Sequence, residues 1–233
     1  MTTSDVLALL EAERDERGMR NWEKLGPGTA GLRSYGIGLT RLRKLAKRIG
    51  RNRELALELW KTDVYDARVI ALLIDDPRQI TREQAERQVE ELAGGMLAHV
   101  LSSCDATLAK TSFVVELADD WIRSDDPVRR ECGYGLLYEA SKFSGKKAPS
   151  EEFFLAHIER IAATIEGESE KVRLAMGMAL MGIGKRSTTL NQAALKVARA
   201  VGPIEFTSAS GECEPFDVVK HLTTDRLKEK LGV

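Results

Sequence analysis

Cysteine is scarce in this chain. Its 233 residues include three, Cys104, Cys132 and Cys213, widely separated and with no Cys-x-x-Cys among them. That excludes a disulfide framework and a zinc-finger pattern, and it fits a reducing compartment. Histidine is as sparse. His99, His157 and His221 have no second ligand at helical spacing, so no metal is expected. No cofactor is expected either: Gly36-x-Gly38 is too short for a phosphate loop and lacks a Gly-Lys-Ser/Thr ending. No apolar run approaches the roughly 20 residues of a membrane span, and the polar Met1-Thr2-Thr3-Ser4-Asp5 is unlike a signal peptide. The expectation is a soluble, cytoplasmic protein without a membrane partner. Charge is balanced, 35 Lys and Arg against 36 Asp and Glu, so any polyanion partner has to be argued from where the charges lie.

What the chain has is helical periodicity. Asp126-Pro127-Val128-Arg129-Arg130 opens a helix in which Asp can cap and Pro tolerates the first position. Val128, Cys132, Gly135 and Leu136 then share a face. The pattern returns at Lys171-Val172-Arg173-Leu174 and, more faintly, at Asp66-Ala67-Arg68-Val69. Such internal repetition implies an all-α solenoid of stacked helical repeats. Further helices are expected after Ser4, around 19–25, over 39–49, 54–60 and 81–92, after Asp105 to Leu117, after Ser150, and over 189–201. Trp22, Trp60 and Trp121 fall at apolar positions and are expected in the core. The reading is one domain, 1–233, with 204–233 as an irregular C-terminal extension; Gly211 to Pro215, including Cys213, is read as a loop.

Basic residues are unevenly spread. Between Pro27 and Arg53 no acid occurs, and Arg41, Lys44, Lys47, Arg48 and Arg51 cover a broad face of helix 39–49 and its end. A run of this kind is either a solvated face or a phosphate-binding surface. Lys142, Lys146, Lys147, Arg173, Lys185 and Arg186 fall at ends or inner positions of the repeat helices, where a solenoid could gather them along one concave basic face.

Three stretches together resemble the DNA alkylation repair family of HEAT-like alkylpurine DNA glycosylases. They are Tyr35-Gly36-Ile37-Gly38-Leu39-Thr40-Arg41-Leu42-Arg43-Lys44 with Glu54 to Trp60; Ser103-Cys104-Asp105 with Trp121 and Asp126 to Leu137; and Lys171-Val172-Arg173 through Gly184-Lys185-Arg186. The resemblance spans roughly residues 30–201. It implies a HEAT-like repeat fold, double-stranded DNA as partner, and hydrolysis of the N-glycosidic bond of cationic alkylpurines. Asp105 stands where the family's catalytic aspartate would, to stabilise an oxocarbenium-like sugar; from the residues alone it also reads as a helix N-cap. Arg130 stands at the DNA-contacting arginine, while Arg129 belongs to the repeat and could bridge to a neighbouring helix or grip a phosphate. Tyr134 could offer an aromatic face to a cation. Two positions depart from the family: Leu101 and Met178 stand where tryptophans are expected. The alternative is therefore a catalytically inactive HEAT-repeat module that binds nucleic acid or a protein partner.

Overall fold

The computed structural model describes residues 1–92, 94–208, 211–212 and 214–232. Cys213, read as part of a loop, lies outside them. The chain divides into two compact units, Met1–Ser112 and Phe113–Val233. The first holds α1 (Thr3–Ala12), α2 (Glu16–Glu23), α3 (Leu39–Ile49), α4 (Arg53–Trp60), α5 (Tyr65–Ile74), α6 (Arg82–Glu90) and α7 (Leu97–Ser102). The second holds α8 (Val114–Ile122), α9 (Pro127–Ala140), α10 (Glu151–Thr164), α11 (Glu170–Ile183), α12 (Thr188–Val201), α13 (Val218–Leu222) and α14 (Asp225–Leu231). Two short antiparallel strands, β1 (Thr207–Ser208) and β2 (Gly211–Glu212), lie between α12 and α13. Among the described residues no helix is long and apolar enough to cross a membrane.

Local capping chemistry sets many of the helix starts. Asp126 accepts from the Val128 N–H at 2.8 Å ahead of Pro127, Thr81 from Gln84 N–H and Ser150 from Phe153 N–H at 3.2 Å each. The first helix begins earlier than its sequence suggests. Thr2, rather than Ser4, is the cap, because Asp5 reaches back to the Thr2 N–H and completes a capping box.

In the first unit α5 is central, packing against α3, α4 and α7. Val69 and Ile70 are fully buried there. In the second unit α9 lies between α8 and α11. An added Cβ at Gly133 would stand 2.7 Å from the Ile122 main-chain nitrogen, so glycine is what lets α8 and α9 close. The repeat thus corresponds to α5 in the first unit and to α9 and α11 in the second. Of its arginines, Arg68 serves packing. Arg68 donates to the carbonyl oxygens of Thr62 and Glu91 and lies over the Trp60 ring.

Residues 204–232 differ from the expected irregular extension. Ile204, Val218, Leu222 and Leu227 are buried in the same core as Tyr134, Phe154 and Met176, and Ile204 pairs with Phe216 through two main-chain hydrogen bonds. The sequence reads 216–221 and 225–231 as short helical candidates, and α13 and α14 lie there; burial of each side chain contributes about 1.5–3 kcal/mol. Trp121 and Trp60 are core residues as expected, whereas Trp22 is only half-buried, with its indole N–H donating to the Leu32 carbonyl.

Helix α9 also carries a carboxylate away from water. Burial pushes the Glu131 carboxyl above its ordinary value of 4.5, and the charge of Lys171 opposes this only in part. A raised folded-state pKa means that the folded chain holds this proton more tightly than the unfolded chain. Its stabilising contribution is therefore present at low pH and is lost as pH rises through the folded pKa. Glu131→Gln should raise the melting temperature at neutral pH and flatten its dependence on pH from 4.5 upward. Thermal scans across that range check this; a variant that melts lower at neutral pH would contradict it.

Candidate nucleic-acid interface

Asp105 does not cap a helix. Cys104 and Asp105 both adopt left-handed backbone, φ 56° and 70°, and the segment makes only a short 3-10 turn at Leu108–Lys110 before α8 starts at Val114. The expected helix from Asp105 to Leu117 is replaced because Thr107 is drawn onto α5. Its N–H and its hydroxyl both donate to the Leu72 carbonyl, at 3.2 and 3.1 Å. That carbonyl belongs to the last turn of α5, where helix geometry leaves acceptors unmet. Two successive non-glycine residues at positive φ cost on the order of 1–3 kcal/mol each and persist only where the surroundings hold them.

The strained turn presents the Asp105 carboxylate to Arg43 of α3, and the two form an ion pair. Lys110 Nζ donates to the Asp105 carbonyl at 3.2 Å. The hydrogen bond from Arg43 holds the Asp105 carboxyl below its ordinary range; burial opposes this, and the charges of Arg43, Lys110 and Lys47 reinforce it. Around the pair is a cleft of about 280 Å³ lined by Arg43, Ala46, Lys47, Gly50, Arg51, Leu73, Asp105 and Lys110. Four cations face one carboxylate there, and no aromatic ring lines the walls among the described residues.

The other residues of the α3 face fall into two groups. Lys44, Lys47 and Arg48 are exposed. Arg41 pairs with Glu13, and Arg51 donates to the Asp75 carbonyl at 2.6 Å. Sequence reasoning missed Arg43 and Lys110 as site residues. Arg43 sits in the basic run, but its partner is 62 positions away and no local signal pairs them.

In the second unit a cleft of about 540 Å³ is lined by Lys142, Lys185, Arg186 and Lys230 together with Tyr138 and Phe143. No acid lines it among the described residues. Burial, then the nearby Lys142 and Lys230, pushes the Lys185 ammonium down. Lys142 pairs with Glu139 at 2.8 Å and lies 4.1 Å over the Tyr138 ring. Lys146 and Lys147 are exposed beside it, in the turn Gly145–Lys147. Arg186, expected on a DNA surface, is committed to closing α9: it donates to the carbonyls of Ser141 and Phe143 and lies over Phe154. Arg173 is half-buried, with its Nε shielded from solvent and without a hydrogen-bond partner. Lys230, absent from the expected set, joins the cleft because α14 folds back and its ammonium reaches the Lys185 carbonyl at 3.1 Å.

Two expected contacts need correction. Tyr134 is 1% exposed, and burial pushes its phenol up to about 12, so it offers no face to a ligand. Arg130 makes a carboxylate bridge of the kind anticipated for Arg129, here to the bend ahead of α11. It donates to both Glu168 oxygens, at 2.7 and 2.9 Å, and to the Ser124 carbonyl at 2.9 Å. Its guanidinium fork is thereby occupied. Leu101, where a tryptophan is expected, is fully buried in the core, whereas Met178 is half-buried.

The fold is shared with a solved structure described as from "A new family of proteins related to the HEAT-like repeat DNA glycosylases with affinity for branched DNA structures". The match has a TM-score of 0.81 and 24% identity, covering 100% of this chain and 97% of that one. The all-α architecture is therefore that of HEAT-like repeats. The chain is also similar to an uncharacterized protein of Listeria innocua, 24% identical over 201 residues, covering 82% of this chain and 83% of that protein. A second, from Listeria monocytogenes, is 24% identical over 205 residues, with 84% and 85% covered. The family model described as DNA alkylation repair enzyme matches residues 6–207, nearly the whole helical array, and on that extent of match this chain belongs to the DNA alkylation repair enzyme family.

Proposed function

We propose that this chain binds DNA by its phosphates, branched duplexes included, and does not excise alkylated bases. The observation that carries this is the composition of the Asp105 cleft: four cations, one carboxylate already paired with Arg43, and no aromatic wall among the described residues. A cationic alkylpurine would enter a site of its own sign, without the ring faces that hold cations. A phosphodiester would enter a site of opposite sign. The second cleft, with Lys142, Lys185 and Lys230, adds phosphate-binding surface in the other unit. The similar solved structure's affinity for branched DNA supports the choice of substrate.

Asp105→Asn separates this reading from excision. In a phosphate-binding cleft Asp105 is the one repulsive charge, so its removal should raise DNA affinity by a few-fold at low salt, with free 7-methylguanine release at background in both proteins. An excising enzyme would show the reverse: wild type would release base from methylated duplex and the variant would not. The feature on the side of excision is that Asp105 stays ionised on a strained turn, which is why base release is measured alongside binding.

A further inference from the structure

The turn that carries Asp105 also carries a thiol for which phosphate binding has no use. Cys104 is half-buried, with its Sγ 2.9 Å from His99 Nε2. On the other side of the ring, His99 Nδ1 lies 3.1 Å from Ser103 Oγ. That hydroxyl donates to the His99 carbonyl at 2.8 Å. A serine hydroxyl has one hydrogen, so toward Nδ1 its oxygen accepts. Nδ1 therefore carries the ring hydrogen, and Nε2 presents its lone pair to the thiol. Nucleophile, base and orienting group stand in the order that activates a thiol. The main chain supports the arrangement: Ser103 N–H donates to the His99 carbonyl at 2.9 Å and Ala106 N–H to the Ser103 carbonyl at 3.0 Å. Next door, Arg43 is fixed by its ion pair with Asp105, and Lys47 and Lys110 line the same cleft. Cations beside a thiol favour the thiolate.

We propose that Cys104 is a nucleophilic thiol with His99 as its base, and that it exchanges with small anionic disulfides. His99 Nε2 takes the thiol proton. The Cys104 thiolate attacks one sulfur of the disulfide; a new S–S bond forms as the old one breaks. The departing thiolate recovers the proton from the His99 imidazolium. The incoming disulfide is the only oxidant required, and an added thiol reverses the step. Arg43, close enough to act electrostatically on Cys104, selects an anionic partner over a cationic one. The modified side chain then brings carboxylates to the edge of the phosphate-binding cleft and weakens DNA binding, a consequence that rests on the proposed function above.

The test uses the full reduced chain. Oxidised glutathione (anionic) and cystamine (cationic) are each reacted with it near neutral pH, and the rate at the Cys104 peptide is followed by mass spectrometry. The same chain in urea supplies the reference. Native Cys104 should react with oxidised glutathione about 10-fold or more faster than the unfolded reference. Its preference for that reagent over cystamine should shrink at high salt. His99→Gln should slow the reaction and move its pH profile up toward that of an ordinary thiol. If the variant does not fold, the wild-type rate–pH profile decides: a plateau reached below the ordinary thiol range supports the proposal, and a rise only through that range overturns it. A native rate no higher than in urea, or equal rates with the two reagents, also overturns it. Branched-duplex affinity of the thiolated chain is measured separately. Rapid thiolation with unchanged affinity supports the thiol site and counts against this cleft as the DNA site.

Discussion

Asp66→Ala should destabilise the first unit by about 3–5 kcal/mol, a large part of a domain's stability of about 5–15 kcal/mol. Asp66 is fully buried in the first turn of α5. One oxygen accepts from the Ser34 hydroxyl at 2.8 Å and the Tyr35 N–H at 2.7 Å; the other accepts from the Ile37 N–H at 3.1 Å. Alanine would strand three donors. They belong to the segment that leads into α3, whose own cap, Gly38, has no side chain to offer. Gly36 within that segment sits at φ 71°, and a Cβ there would lie 2.3 Å from the Met19 nitrogen, so the loop has little room to find other partners. Asp66→Asn keeps one acceptor oxygen and turns an N–H toward a donor, and should lose roughly half as much. Urea unfolding with a probe in α3 checks both. A loss under about 1 kcal/mol for the alanine variant would mean that the loop is held by something else.

Asp66 also marks where sequence reading stops. The helix around it was legible from its apolar period, but nothing local links it to Ser34, Tyr35 and Ile37, about thirty positions earlier. The cap at Asp126 and the helix starts at 81 and after Ser150 were legible because cap and capped N–H lie within three residues. Asp105 shows the cost of relying on local signals alone. Its residue type suits a cap, and the following residues suit a helix. The pull of Thr107 onto the Leu72 carbonyl, a contact 35 positions apart, overrides both. Arg129 and Arg130 were told apart by repeat register, which identified the second as unneeded by the architecture. Register locates a helix face but says nothing of Glu168, whose carboxylate meets Arg130 from 38 positions away. The basic run was read as a patch, and its exposed part, Lys44, Lys47 and Arg48, is one. The gain from structure lies in the members that are committed elsewhere, Arg41 to Glu13 and Arg51 to the Asp75 carbonyl, and in the arrival of Lys110 from outside the run.

That sorting of committed from available cations leads to the second large effect, in binding. Lys47 lines the Asp105 cleft from α3 and Lys110 from the turn Leu108–Lys110. Each ammonium that neutralises a phosphate releases condensed counterions, which adds about 0.9 to the slope of log affinity against log salt. At about 0.1 M salt that term is worth about 8-fold in affinity per contact. Lys47→Ala with Lys110→Ala should therefore weaken duplex binding about 60-fold at that salt and reduce the slope by about 2. Two alanines in the exposed turn at Lys146 and Lys147, where the ammoniums face open solvent, should cost less. Because the mechanism is counterion release, the deficit should shrink as salt rises and vanish near 1 M, where the wild-type advantage is lost too. Titrations of linear and branched duplexes across a salt series measure affinity and slope together. A double variant that loses affinity at an unchanged slope would point to a disturbed fold rather than lost phosphate contacts. One that binds as wild type at every salt would remove the Asp105 cleft from the DNA interface.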